Sequence, residues 1–160
     1  MRNKILGIIE KNSKIDLKEV AVLLGTNEET IFNEVVAMEK EGIICGYHTL
    51  INWEKTSLEK VTALIEVRVT LQRGQGFDSI AERIYNYPEV NSVYLLSGGY
   101  DLLVTIEGKT LKEVSSFVSD KLSTSENVLS TATHFILKKY KDHGTIFAKK
   151  PEDGREVIIS

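Results

Sequence analysis

Few residues of this chain have the types and spacing that covalent chemistry needs. Its three histidines, His48, His134 and His143, lack metal-ligand spacing, and Cys45 is the only cysteine. A thiolate cluster for zinc and an intrachain disulfide are therefore both excluded. No Ser/His/Asp order and no phosphate-cradling glycine loop is present. His134 lies in a strand-like run and reads as an ordinary sheet residue, and Cys45 reads as a small buried apolar one. The expectation is a protein that binds rather than catalyses, without metal or cofactor.

The most distinctive local pattern is Ser97-Gly98-Gly99-Tyr100-Asp101, set between the apolar runs Val93–Leu96 and Leu102–Ile106. Paired glycines between two such runs predict a hairpin turn, because glycine reaches positive φ without steric cost. Upstream, Val61, Ala63, Ile65, Val67, Val69 and Leu71 alternate with Thr62, Leu64, Glu66, Arg68 and Thr70, which is the period of a strand. Phe77, Ile80, Ala81 and Ile84 recur at helical spacing before Tyr87-Pro88. Thr110 is a helix cap for a second stripe of Leu111, Val114, Val118 and Leu122, and Val128–Leu137 predicts the last strand. The order β-α-β-β-α-β is that of a ferredoxin-like unit. Both helices of that unit cover one sheet face. The other should carry Leu64, Tyr94, Leu96, Leu103 and a set from the last strand, or else the alternate residues. Neither set looks polar enough to face water, which predicts a homodimer seam.

The first third reads as three helices. Ile5, Ile8 and Ile9 share a face over Arg2–Lys11, and Asp16 with Glu19 forms a capping box for a helix from Leu17 that turns Leu17, Val20, Ala21 and Leu24 inward. Gly25 permits a sharp turn, Asn27 caps a third helix over Glu28–Glu41 that buries Ile31, Val35 and Met38, and Gly42 ends it. Two short helices joined by a tight glycine turn predict a helix-turn-helix, which a plain helical adaptor would equally match. Ile43–Asn52 is expected as a two-stranded wing or a linker strand, and the polar stretch that follows, to Lys60, as a linker.

The chain has 160 residues, 42% hydrophobic and 27% charged, a soluble globular composition, with a formal net charge of −3. Up to Lys55, seven basic residues face nine acidic ones, a net of −2 that is unfavourable for neutralising phosphates. No apolar run approaches the roughly 18 residues of a membrane span, and the N-terminus lacks a signal-peptide cleavage pattern. No membrane partner is expected, and a reducing cytoplasm fits.

A winged helix-turn-helix, a linker strand and a βαββαβ domain together resemble the Lrp/AsnC, or feast/famine, family of transcription regulators. The most specific pieces are Glu39–Tyr47 (EKEGIICGY), Gly99-Tyr100-Asp101 and Thr131-Ala132-Thr133. The resemblance implies an α+β chain with a DNA-binding head over residues 1–50, a linker over 51–60, a ligand-binding and oligomerisation (RAM-type) domain over 61–144, and an extension over 145–160. It implies a homodimer or octamer, double-stranded DNA as partner, and a small effector, usually an amino acid. It places that effector by Gly99, Tyr100 and Asp101, with Ser97, Gly98, Thr131 and Thr133 as neighbours. Free N–H groups of the turn suit a carboxylate, an unpaired aspartate suits an ammonium, and the threonines add hydroxyls. The same residues would equally serve as a plain turn capped by Asp101 beside ordinary strand threonines.

The resemblance also points to the third helix as the DNA reader, with Asn27, Glu29, Thr30, Phe32, Asn33, Val36 and Lys40 as contacts. Asn33 suits adenine, Phe32 and Val36 suit thymine methyls, and Thr30 with the helix N-terminus suits phosphate. Here the chain departs from the family, with Glu34, Val36 and Ala37 where basic residues are common. DNA binding is thus expected to be weak, salt-dependent or reliant on several heads at once. The alternative is an effector-sensing partner protein whose acidic head no longer reads DNA. Two-domain haem-pathway decarboxylases resemble this architecture and keep an enzyme alternative open, although a lone His134 in a strand reads as a satisfied sheet residue. The tail is expected to add an edge strand or dock on a neighbour, through a polar turn at Lys149–Gly154 and apolar Val157-Ile158-Ile159. The Lys138-Lys139-Tyr140-Lys141 cluster reads as a solvated strand end.

Overall fold

The structure, a computed structural model, describes residues 1–147. The chain divides into two compact units, Met1–Ile51 and a second that begins at Asn52. The tail residues Lys149–Gly154 and Val157–Ile159 lie outside the described residues.

The first unit packs helices α1 (Arg2–Ile9), α2 (Leu17–Leu24) and α3 (Glu28–Lys40) around Ile5, Val20, Ala21, Ile31, Val35 and Met38. Ile5, Val20, Ile31 and Met38 are completely buried, each contributing roughly 1.5–3 kcal/mol by leaving water. Two local devices set the path. Asp16 accepts the Lys18 N–H at 2.9 Å and so starts α2. Gly25, at φ 65°, ends it in the left-handed region, and the Thr26 N–H reaches back to the Ala21 carbonyl. Asn27 then accepts the Thr30 N–H at 2.8 Å and begins α3. The two-stranded wing or linker strand expected over Ile43–Asn52 is not formed within the described chain, and Cys45, expected buried, is exposed. Residues 45–52 run without strand pairing, since the described chain brings no second strand alongside them. Tyr47 ties this segment back to α3 by donating its hydroxyl proton to Glu39 at 2.8 Å.

The second unit is a four-stranded antiparallel sheet with two helices on one face. Its strands are β1 (Val61–Val69), β2 (Val90–Leu95), β3 (Leu102–Gly108) and β4 (Val128–Phe135), in spatial order β2-β3-β1-β4. Helix α4 (Phe77–Tyr85) links β1 to β2, and α5 (Leu111–Phe117) runs on into a π turn over Val118–Leu122. The core joins Ala63, Ile65 and Val67 of β1 to Leu102, Val104 and Ile106 of β3 under Ile80, Ile84, Val114, Phe117 and Leu122. Leu111 was expected inward but stays 55% exposed in the first helical turn. Phe117, absent from the predicted stripe, is buried edge-on against Tyr87 with ring centroids 5.5 Å apart. The last strand stops at Phe135, two residues short of expectation. A small hairpin follows, β5 (Lys141–Asp142) paired with β6 (Thr145–Ile146).

The uncovered sheet face is the one with Leu64, Tyr94 and Leu103, because each is out of step with the buried residues. It is more polar than the alternation implied. Thr62, Glu66, Arg68, Thr105, Glu107, Ala132 and His134 share it, Glu66 pairs with His134 at 3.2 Å, and Glu107 pairs with Lys60.

Candidate functional site

In the first unit, α3 has three distinct faces. Ile31, Val35 and Met38 are buried. Glu29, Phe32, Asn33 and Lys40 are exposed, with Val36 and Thr30 half-buried beside them. Glu34 and Glu41 lie on the third face, towards α1. Arg2 Nε donates to Glu34 at 2.7 Å, while its terminal nitrogens donate to Glu41 at 2.7 and 3.0 Å. Arg2's hydrogen bonds hold Glu41 below the usual carboxylate range, and those carboxylates raise Arg2 in turn. Glu34 therefore faces α1 rather than the surface expected to meet DNA, and Arg2, shared with Glu41, offsets part of its charge. The expected phosphate contact at the helix start is also reduced, since Asn27 already takes the Thr30 N–H.

In the second unit, the β2–β3 hairpin closes through residues 96–101. Leu95 pairs with Leu102, and the Leu96 N–H donates to the Asp101 carbonyl at 2.8 Å. Neither Gly98 nor Gly99 adopts a positive φ, contrary to the expectation. A six-residue loop reverses direction without the left-handed pair that a two-residue turn requires. A Cβ at either glycine would meet nothing within 4 Å.

Asp101 is not the unpaired carboxylate that was expected. Its Oδ2 accepts the Val69 N–H at 2.8 Å, and its own N–H donates to the Val67 carbonyl at 3.1 Å. Arg68, between those two residues, donates from Nη2 to the Gly99 carbonyl at 2.6 Å, and its guanidinium carbon lies 5.6 Å from the Tyr100 ring centre. The turn is thus fastened to the end of β1 by Val67, Arg68 and Val69.

Thr131 and Thr133 are not part of this cluster. They pair with Val67 and Ile65 across the other edge of β1, so β1 runs between them and the turn. Directly opposed residues share a sheet face, which points both threonines towards the helix-covered side. There Thr131 Oγ1 lies 3.5 Å from Ser123 Oγ.

Two features escaped sequence reasoning. Arg68 looked like one more outward residue of the alternation; its signal was a lone cation at the strand end opposite the glycine turn. The same end of the sheet also carries Leu71, Leu95, Leu96 and Leu129, with Leu95 and Leu129 60% and 62% exposed. Among the described residues no helix is long and apolar enough to cross a membrane.

Residues 62–146 match the Lrp/AsnC ligand binding domain. An uncharacterized HTH-type transcriptional regulator of Bacillus subtilis, YugG, is 48% identical over 156 residues, covering 97% of this chain and 94% of the relative. An HTH-type transcriptional regulator of Pyrococcus furiosus is 29% identical over 139 residues, covering 87% of this chain and 89% of that one. Among solved structures, a Neisseria meningitidis transcriptional regulator in complex with L-Met aligns with TM-score 0.68 at 24% identity, over 88% of this chain and 90% of that one. AsnC of E. coli aligns with TM-score 0.64 at 21% identity, over 86% and 91%. At those identities the structural likenesses speak for the fold, whereas the sequence relatives are regulators and not enzymes. By its ligand-binding domain and its near-full-length relatives, this chain belongs to the Lrp/AsnC family of transcriptional regulators.

Proposed function

We propose that this chain is a sequence-specific, double-stranded-DNA-binding transcription regulator of the cytoplasm whose activity responds to a small effector, an amino acid. The head over residues 1–50 reads DNA, and the unit over 61–144 senses the effector and assembles the protein as a homodimer or a larger ring such as an octamer. The observation that carries this reading is the division of labour on α3. Its acidic Glu34 and Glu41 are drawn aside by Arg2, which leaves Glu29, Phe32, Asn33, Val36 and Lys40 as the outward ridge. Asn33 on that ridge offers both an amide donor and an acceptor to an adenine edge, and Lys40 offers a phosphate contact.

The effector reading rests on the turn. Gly98 and Gly99 leave open space, the exposed Ser97 offers a hydroxyl, Tyr100 supplies an aromatic wall, and the exposed leucines supply apolar surface for a side chain or a neighbouring copy. Asp101 Oδ1 remains as an acceptor for an ammonium group, since only Oδ2 is engaged by Val69. The L-Met complex of the Neisseria relative supports an amino acid as the class. Thr131 and Thr133 would join only by way of a second chain.

A gel-shift titration of the full chain on DNA upstream of its own coding region, repeated with each common amino acid, tests the proposal. Saturable binding that one amino acid strengthens or weakens supports it. Exposed Glu28 and Glu29 at the start of α3 favour a second reading, an effector-sensing partner protein that does not hold DNA. Absence of any shift at low salt would select that second reading.

A further inference from the structure

We infer, resting on the reading that the Ser97–Asp101 turn takes an amino acid, that Arg68 is the specificity-determining residue that selects the effector's carboxylate. Three observations converge on it. First, Arg68 is an exposed cation with no carboxylate partner among the described residues, whose ion pairs involve Arg2, Lys60, Lys121, Lys139 and two histidines. Glu66, two residues away on the same strand face, is engaged by His134, and Asp101 Oδ2 by the Val69 N–H.

Second, the guanidinium is already oriented. One Nη2 donor is fixed on the Gly99 carbonyl at 2.6 Å, and the group lies over the Tyr100 ring. A guanidinium has five donors in a planar fork, so the remaining donors stay free for two parallel bonds to a carboxylate. Tyr100 and the Gly99 carbonyl act as positioning groups that keep the fork at the turn.

Third, an assembled protein gives Arg68 a reason to seek an anion. The leucines at this end of the sheet favour coverage by a neighbouring copy, and a covered guanidinium without a counter-charge is strongly unfavourable. A bound carboxylate supplies that counter-charge. In this arrangement Arg68 fixes the effector's acid group and Asp101 Oδ1 its ammonium.

The test uses the full-length protein and the common amino acids as probes in a thermal-shift screen. Each hit is then compared with its own α-amide and its decarboxylated amine on wild type, R68K and R68Q. Wild type should bind the free acid about tenfold or more tightly than the amide, the scale of a charge-assisted contact. R68Q should bind acid and amide alike, and R68K, which keeps the charge but not the fork, should fall between. An acid preference that survives in R68Q overturns the inference while leaving the effector reading intact. So does an R68Q protein whose only change is dissociation in sedimentation, which would make Arg68 a subunit contact. No stabilisation by any amino acid would remove the effector reading, and this inference with it.

Discussion

The Asp101 carboxylate accepts the Val69 backbone N–H at 2.8 Å, which makes it part of the fold as well as part of the turn. Val69 is the last residue of β1, where the pairing with β4 shifts register between Arg68 and Val69. The Asp101 side chain thus completes the strand end from the β3 side. Asp101→Ala would leave this half-buried N–H without a partner, so it should lower stability by about 1–3 kcal/mol. Asp101→Asn keeps an acceptor oxygen and should cost markedly less. Urea unfolding of the two variants checks this; equal stability of both with wild type would show that the bond contributes nothing.

Gly99 separates ligand effects from folding effects. Its φ is not left-handed and a Cβ there meets open space, so Gly99→Ala should leave stability within about 0.5 kcal/mol. If an effector lies against the turn, the same methyl group should weaken its binding. Calorimetry with an effector found by screening would show reduced affinity at unchanged melting temperature. A variant that melts early would instead mean that the turn needs glycine for its own geometry.

Much of this was legible in the sequence because short-range rules and burial agreed. Asp16, Asn27 and Thr110 each cap the helix they were expected to cap, and Gly25 is left-handed where the chain must turn between helices. The buried residues Ala63, Ile65 and Val67 follow the period-two alternation directly. What stayed hidden depended on contacts distant in sequence. Glu34 looked like a charge facing DNA until Arg2, 32 residues away, was found bonded to it. Asp101 looked free until β1 supplied the Val69 N–H. Thr131 and Thr133 looked like neighbours of the turn, but strand order decides which edge of β1 they occupy. The paired glycines signalled a turn correctly, whereas its length, and therefore its φ angles, was set by where the β2–β3 ladder stops.

The Arg2–Glu41 contact should make the head sensitive to acid. Hydrogen bonding to Arg2 lowers the Glu41 pKa in the folded state, so the pair stabilises the fold above the unfolded-state value of about 4.3. That stabilisation is lost as pH falls through the depressed folded value. Amide exchange in α1 and α3, compared between wild type and Arg2→Gln, should differ at neutral pH and converge on acidification. A difference that persists unchanged into strong acid would contradict the pairing.

Leu103 tests whether the uncovered sheet face is a seam between copies. It sits between Glu66 of β1 and Tyr94 of β2 on that face. An arginine there would lose water against a partner sheet, and the directly opposed Glu66 is already engaged by His134. Leu103→Arg should therefore shift sedimentation towards the monomer while circular dichroism stays native. An unchanged oligomer would place the seam elsewhere.

The proposed DNA reader is the outward ridge of α3. Fluorescence anisotropy of the full chain on DNA upstream of its own coding region, at two salt concentrations, addresses it most directly when Asn33→Ala, Lys40→Ala and Glu34→Gln are run beside wild type. Binding by wild type should be saturable and should weaken steeply with salt. Asn33→Ala should cost about 1–3 kcal/mol on that site and little on unrelated DNA, and Lys40→Ala should reduce the salt slope by about one. Glu34→Gln, on the face turned towards Arg2, should change affinity far less than Asn33→Ala. Binding unaffected by Asn33 and Lys40, or no binding at low salt, would contradict it.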